Sequence, residues 1–156
     1  MEFVPEEHNC GALLFKHVAM KGAQAGSVLG VASVAPSLLY TAYRQGSGAV
    51  TADAAFTMAA TRAGTGLTYG LAAMSVAAAL KVMNTDKDGL QDRAYRLHYN
   101  EAQNRCDKIW LVSSALGAGT GWYLGGAPKQ VLGTSALAGA LGIFIHSILP
   151  MPSKEE

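Results

Sequence analysis

The chain has 156 residues, a formal net charge of +1, 15% charged residues and 50% apolar ones. That length excludes more than one ordinary domain, and so small a net charge offers nucleic acid no basic surplus, so no nucleic-acid partner is expected. The apolar residues fall in long charge-free runs instead of alternating with charges, which is the profile of a membrane protein.

Residues 1–21 come first. MEFVPEEH is acidic and has neither the basic n-region of a signal peptide nor the Arg-rich make-up of a transit peptide, so internal targeting signals or a mature start are expected. Pro5 and the glutamates after it suit a helix start. Leu13, Leu14, Val18 and Ala19 recur at helical spacing beside Lys16 and Lys21, so this segment is expected to lie at the membrane interface or to extend the first helix.

Four charge-free runs follow, and each is long enough to cross a hydrocarbon core of about 30 Å. They predict transmembrane helices over 22–43, 53–83 (around the charge-free run 63–80), 109–127 and 131–150, in one all-α membrane domain covering 1–156. A soluble bundle with buried helices is the alternative, and Ser, Gln and Thr in the first run keep it open. The connections 45–52 and 126–130 are short and rich in Gly or Pro, so helices one and two, and three and four, are antiparallel neighbours. The long connection, 84–108, is polar.

Small residues recur four apart: Gly22, Gly26 and Gly30; Gly66 and Gly70; Gly117, Gly121 and Gly125; Ser135 and Gly139. Four apart is one helix face, and in lipid such strips let backbones approach and pack by dispersion. These residues are the candidate helix-packing positions.

Of the 12 Lys and Arg, Lys16, Lys21, Lys81, Lys87, Arg93, Arg96, Arg105, Lys108 and Lys154 fall on the side of the long connection, only Arg44 and Lys129 on the other, and Arg62 within or at the edge of the second span. The positive-inside rule then places both termini and the connection on the cytoplasmic or matrix side. Cys10 and Cys106 fall on that same side, where a reducing compartment keeps them as thiols and an oxidising one allows them to pair.

Signals for chemistry are few. GAGTG at 117–121 and AGTGLTYG at 63–70 lack the Lys-Ser/Thr ending of a phosphate loop and read as packing glycines. His8 and Cys10 have no second ligand pair, so no metal is expected. No catalytic arrangement lies within a span. Arg62, about ten residues into the second helix, reads as a snorkelling anchor or a functional intramembrane charge, and His146 as interfacial.

The polar connection shows helical order. Tyr95, Tyr99, Ala102, Cys106 and Trp110 line up on one face, and Asp92–Arg96 and Glu101–Arg105 are acid-before-base pairs worth about 0.2–0.5 kcal/mol each. A continuous helix over 92–108 is expected. It is either a solvated connector or a docking helix, with Arg93, Tyr95, Arg96, Tyr99 and Arg105, together with Arg62, as candidate partner or lipid contacts.

The series Arg93, Arg96, Leu97, Asn100, Gln103, Arg105, Asp107, followed by a Gly-rich span, resembles a stretch in a small membrane-arm accessory subunit of mitochondrial respiratory complex I of fungi and plants. The wider layout is similar to that of the translocase-like family of mitochondrial inner-membrane proteins. The resemblance implies a non-catalytic accessory subunit of NADH:ubiquinone oxidoreductase, multi-pass in the mitochondrial inner membrane. Such a subunit would stabilise or assemble the membrane arm, with membrane subunits of a large respiratory complex and membrane lipids as partners and no small-molecule substrate. It offers no catalytic residue and implies no cofactor; phospholipid or cardiolipin are the non-protein molecules such a bundle can hold. The alternative is a subunit of an inner-membrane protein translocase or a small-solute channel, for which Thr57, Thr61, Arg62, Thr65 and Thr68 make a modest polar stripe.

Overall fold

A computed structural model describes residue 4 and residues 8–148. The expected helix start at Pro5, Glu6 and Glu7, the last two residues of the fourth run, and Lys154 lie outside the described residues. Among the described residues the chain is all-helical, with no strand: α1 Cys10–Ala32, α2 Val34–Gln45, a short 3-10 turn Ser47–Ala49, α3 Ala52–Met83, α4 Lys87–Tyr99, α5 Glu101–Tyr123 and α6 Pro128–Ile148.

Each boundary has a local cause. Asn9 caps α1 by accepting from the Ala12 amide at 3.0 Å, so the amphipathic segment ahead of the first run extends the first helix from Cys10 instead of forming a separate interfacial element. The uninterrupted helix expected over 22–43 is corrected. Pro36 has no N–H to give the Ala32 carbonyl, and its ring clashes with that carbonyl, so α1 stops at Ala32 and α2 starts at Val34. Thr51 caps α3 and Asp86 caps α4.

The continuous helix expected over 92–108 is corrected as well: it breaks at Asn100. The Asn100 side chain accepts from the Gln103 backbone amide at 3.0 Å and caps α5. Asn104 donates to the His98 carbonyl at 2.9 Å, satisfying the end of α4. The Tyr95–Trp110 strip is therefore split between two helices. At the other end α5 stops at Tyr123, short of the expected 127. Gly125 takes φ +71°, its amide bonds the Trp122 carbonyl and the Gly126 amide bonds that of Gly121, a Schellman ending.

Two antiparallel pairs make the bundle. α1 lies along α3, α5 lies along α6, and α6 packs on both α3 and α1. α4 folds back onto the start of α1, where Ala94 and Leu90 cover Cys10. The pair α1/α3 stays in register from Gly11 beside Val82 to Gly30 beside Arg62, roughly 28 Å of helix.

The interior is built from small residues. Ala23, Ala63, Ala78, Ala136 and Ser27 are buried, and Ser27 is the largest fully buried side chain. Leu29, Leu39, Phe56, Leu116, Phe144 and Ile145 point outward and are more than half exposed. A water-soluble bundle does the reverse. Three stretches, Cys10–Gln45, Ala52–Met83 and Pro128–Ile148, are long and apolar enough to cross a membrane. α5 is not among them, because Glu101, Arg105, Asp107 and Lys108 occupy its first turns and leave residues 109–123, roughly 22 Å of helix.

Candidate functional site

The packing glycines meet backbone. A methyl on Gly26 would fall on the Gly66 carbonyl, and one on Gly66 would fall on that of Gly26; Gly22 and Gly70 face each other in the same reciprocal way, and Gly30 faces the Arg62 carbonyl. In the second pair Gly117 meets Thr134 and Ala138, Gly121 meets Thr134 and Val131, and Gly139 receives Trp110 and Ser114. Ser135 is half-buried. Gly125 is corrected as a packing residue: no atom lies within 4 Å of where its Cβ would stand, and its role is the left-handed turn. The four-residue spacing also misses Gly64 and Gly133, which touch at the α3–α6 crossing, and Gly142, which receives Ser113.

Arg62 sits where α1 breaks. Its guanidinium donates to Ser33 Oγ at 3.2 Å and to the Ser33 carbonyl at 3.4 Å. A cation at the end of α1 meets the negative end of that helix's dipole. These bonds tie the α1–α2 bend to α3.

A polar hub that the sequence reading did not single out joins the two helix pairs. Asp107, at the start of α5, takes hydrogen bonds on Oδ1 from Lys21 Nζ, from Gln24 Nε2 at 2.9 Å and from Gln103 Nε2 at 3.1 Å. His17 Nδ1 stands 3.5 Å from Oδ2, and Lys21 also donates to Gln24 Oε1 at 2.6 Å. Burial pushes the Asp107 carboxyl up, but the bonds from Lys21, Gln24 and Gln103 together with the Lys21 charge outweigh it and hold the group below the ordinary carboxylate range. His17, Lys21 and Gln24 recur at i, i+4 and i+7, one strip of α1 beside the glycine strip. Beside the hub, a cleft of about 190 Å³ opens between α1, α4 and α5, lined among others by Lys16, His17, His98 and Asn104.

The connection presents its outer face on α4. Arg93 is exposed, the Tyr95 and Tyr99 rings meet in a tilted contact with centroids 4.7 Å apart, and Arg96 makes a two-point pair with Asp92 at 3.0 Å. Arg105, on α5, is half-buried. His146 is half-buried in the last turn of α6, and no disulfide joins Cys10 to Cys106.

On the far side, a groove of about 620 Å³ runs between α3 and the α5–α6 turn. Thr57, Thr61, Thr65 and Thr68 form one wall, and Gln130 and Thr134 of α6 form part of the other. Arg62 points away from it, toward Ser33.

The sequence model of a family described as "Protein of unknown function (DUF1757)" matches residues 8–142, nearly the whole described chain. No curated protein matches it.

Proposed function

The chain belongs to the DUF1757 family, whose function is unknown, and on that premise we propose its role from its own chemistry. It is a non-catalytic accessory subunit of mitochondrial NADH:ubiquinone oxidoreductase, crossing the inner membrane four times and stabilising the membrane arm. The observation that carries the membrane reading is the inverted exterior: mostly small residues inside, Trp110 apart, large apolar ones outside, and Ser27 the bulkiest fully buried side chain among the described residues. Such a surface is stable only in lipid or against other membrane helices.

The fourth crossing is α5, whose apolar part spans most of a hydrocarbon core and whose end carries exposed Trp122 and Tyr123, aromatic residues of the kind that mark an interface. Support for the respiratory assignment is the resemblance over Arg93–Asp107. Those residues form the α4–α5 corner, where Asn100 caps, Gln103 and Asp107 build the hub, and Arg93 and Arg96 face outward.

The threonine groove favours the translocase or channel reading. It extends from Thr57 to Tyr69, roughly 18 Å, and stops well short of a full crossing; beyond it α3 continues as AAMSVAAAL. The structural role therefore stands first.

Native gel electrophoresis of gently solubilised membranes tests it. The chain is expected to migrate with a large assembly containing redox subunits, and the double variant Arg93→Ala, Arg96→Ala to do so less while still inserted. A wild-type chain that never migrates with such an assembly refutes the accessory role.

A further inference from the structure

The far-side groove has the dimensions and polarity of a lipid site, and we propose that it holds one acyl chain of an anionic phospholipid whose phosphate rests on Lys129. The proposal rests on the reading that α3, α5 and α6 span a membrane.

Depth comes from a floor of small residues, Ala60, Gly64 and Gly121, all buried. The volume, about 620 Å³, falls in the range of sites that enclose one small molecule. Its length along α3, roughly 18 Å, is close to one leaflet of a hydrocarbon core about 30 Å thick. A groove ending at mid-membrane suits a lipid tail better than a path for solute.

The wall chemistry agrees. Thr65 donates to the Thr61 carbonyl and Thr68 to the Gly64 carbonyl, each at 2.9 Å, and Thr134 donates to the Gln130 carbonyl at 3.0 Å. With those three protons returned to their own helices, Thr65, Thr68 and Thr134 have methyl groups and already-donating hydroxyls to offer the groove. An extended peptide laid there would bring carbonyls with few donors to meet them, whereas an acyl chain requires none.

Charge selects the head group. Of the residues lining the groove only Lys129 is ionic, and it is exposed in the first turn of α6. No carboxylate lines the groove to repel a phosphate. A basic residue at the head-group level favours an anionic lipid by about five-fold per charge.

Native mass spectrometry of the full chain, purified in non-ionic detergent and supplied with phosphatidylglycerol or phosphatidylcholine, tests the site. Wild type is expected to retain one phosphatidylglycerol in preference to phosphatidylcholine. Lys129→Ala should remove that preference, a loss of about five-fold, and Thr61→Trp, which fills the groove from an exposed position, should remove both lipids without changing the helical circular dichroism. Equal retention of the two lipids by wild type, or retention unchanged in Thr61→Trp, overturns the proposal. A photocrosslinker at residue 65 in native membranes should yield a lipid adduct; a polypeptide adduct in its place also overturns it. Resistance to alkaline carbonate extraction reports on membrane spanning separately, so failure of the lipid site and failure of the spanning reading are distinct.

Discussion

α1 meets α3 through Gly22, Gly26 and Gly30, and it meets α5 through His17, Lys21 and Gln24. The first contact is largely backbone on backbone, Gly26 on Gly66 and Gly30 on Arg62, with the Met74 side chain against Gly22. The second is a set of charges and amides converging on one carboxylate. A glycine face sets a short distance, yet a shift by one four-residue step would present a similar surface. A hub with one acid and several donors has only one satisfied arrangement, because any displacement strands Lys21 or Asp107 partly out of water. The dry strip thus supplies closeness, and the polar strip ties one helix pair to the other in a single register.

Enlarging the dry strip should do the most damage. Gly26→Leu drives a side chain into the Gly66 carbonyl and is expected to cost about 3 kcal/mol through overpacking and lost contact, read as the loss of a cooperative thermal transition in detergent. An unchanged midpoint would mean that α1 and α3 do not touch there.

Breaking the hub should cost less, because Lys21 retains some access to solvent. Asp107→Asn is expected to lower stability by about 2 kcal/mol, while the double change Asp107→Leu, Lys21→Met should recover much of that loss, since a removed pair leaves no stranded charge. If the double variant is no better than the single one, the hub is not a paired unit.

Gly125→Ala is expected to cost about 1 kcal/mol, the strain of a left-handed alanine, with no effect on the α1–α3 contact. Cysteine pairs placed across that contact should crosslink as before.

The pH dependence is smaller. The Asp107 carboxyl lies below the ordinary carboxylate range, so its stabilisation is complete above an unfolded-state value of about 3.9 and is lost as pH falls through the lowered folded value. Wild type and Asp107→Asn should therefore differ in melting at neutral pH and converge in strong acid. Arg96→Ala, which removes an exposed i, i+4 pair, should cost no more than about 0.5 kcal/mol; a larger loss of stability would show that Arg96 holds the fold and not only a surface.

The legibility of these features follows their range along the chain. Glycine spacing in α1 and α3 is local, so the facing strips can be read from periodicity alone. Pro36 and the Asn100 cap are also local, but each lies inside a longer pattern, a charge-free run and an aromatic strip, whose periodicity continues across the break. The hub was out of reach for another reason. Lys21 and Asp107 are 86 residues apart, and nothing in the neighbourhood of either marks the other as its partner. Half of the groove was visible as the threonine stripe on α3, whereas the wall from α6 depends on how Gly64 meets Gly133. The resemblance rested on residues such as Asn100, Gln103 and Asp107, whose work in the structure is to shape a corner and tie the helix pairs together.

Membrane topology tests the account most directly. Single cysteines at Ser47, Lys87 and Ala127, in a chain with Cys10 and Cys106 replaced, can be probed with a membrane-impermeant maleimide in sealed vesicles before and after permeabilisation. Four crossings predict that positions 47 and 127 label from one side and position 87 from the other. Labelling of 87 and 127 from the same side would show that α5 does not cross and would contradict the four-span bundle.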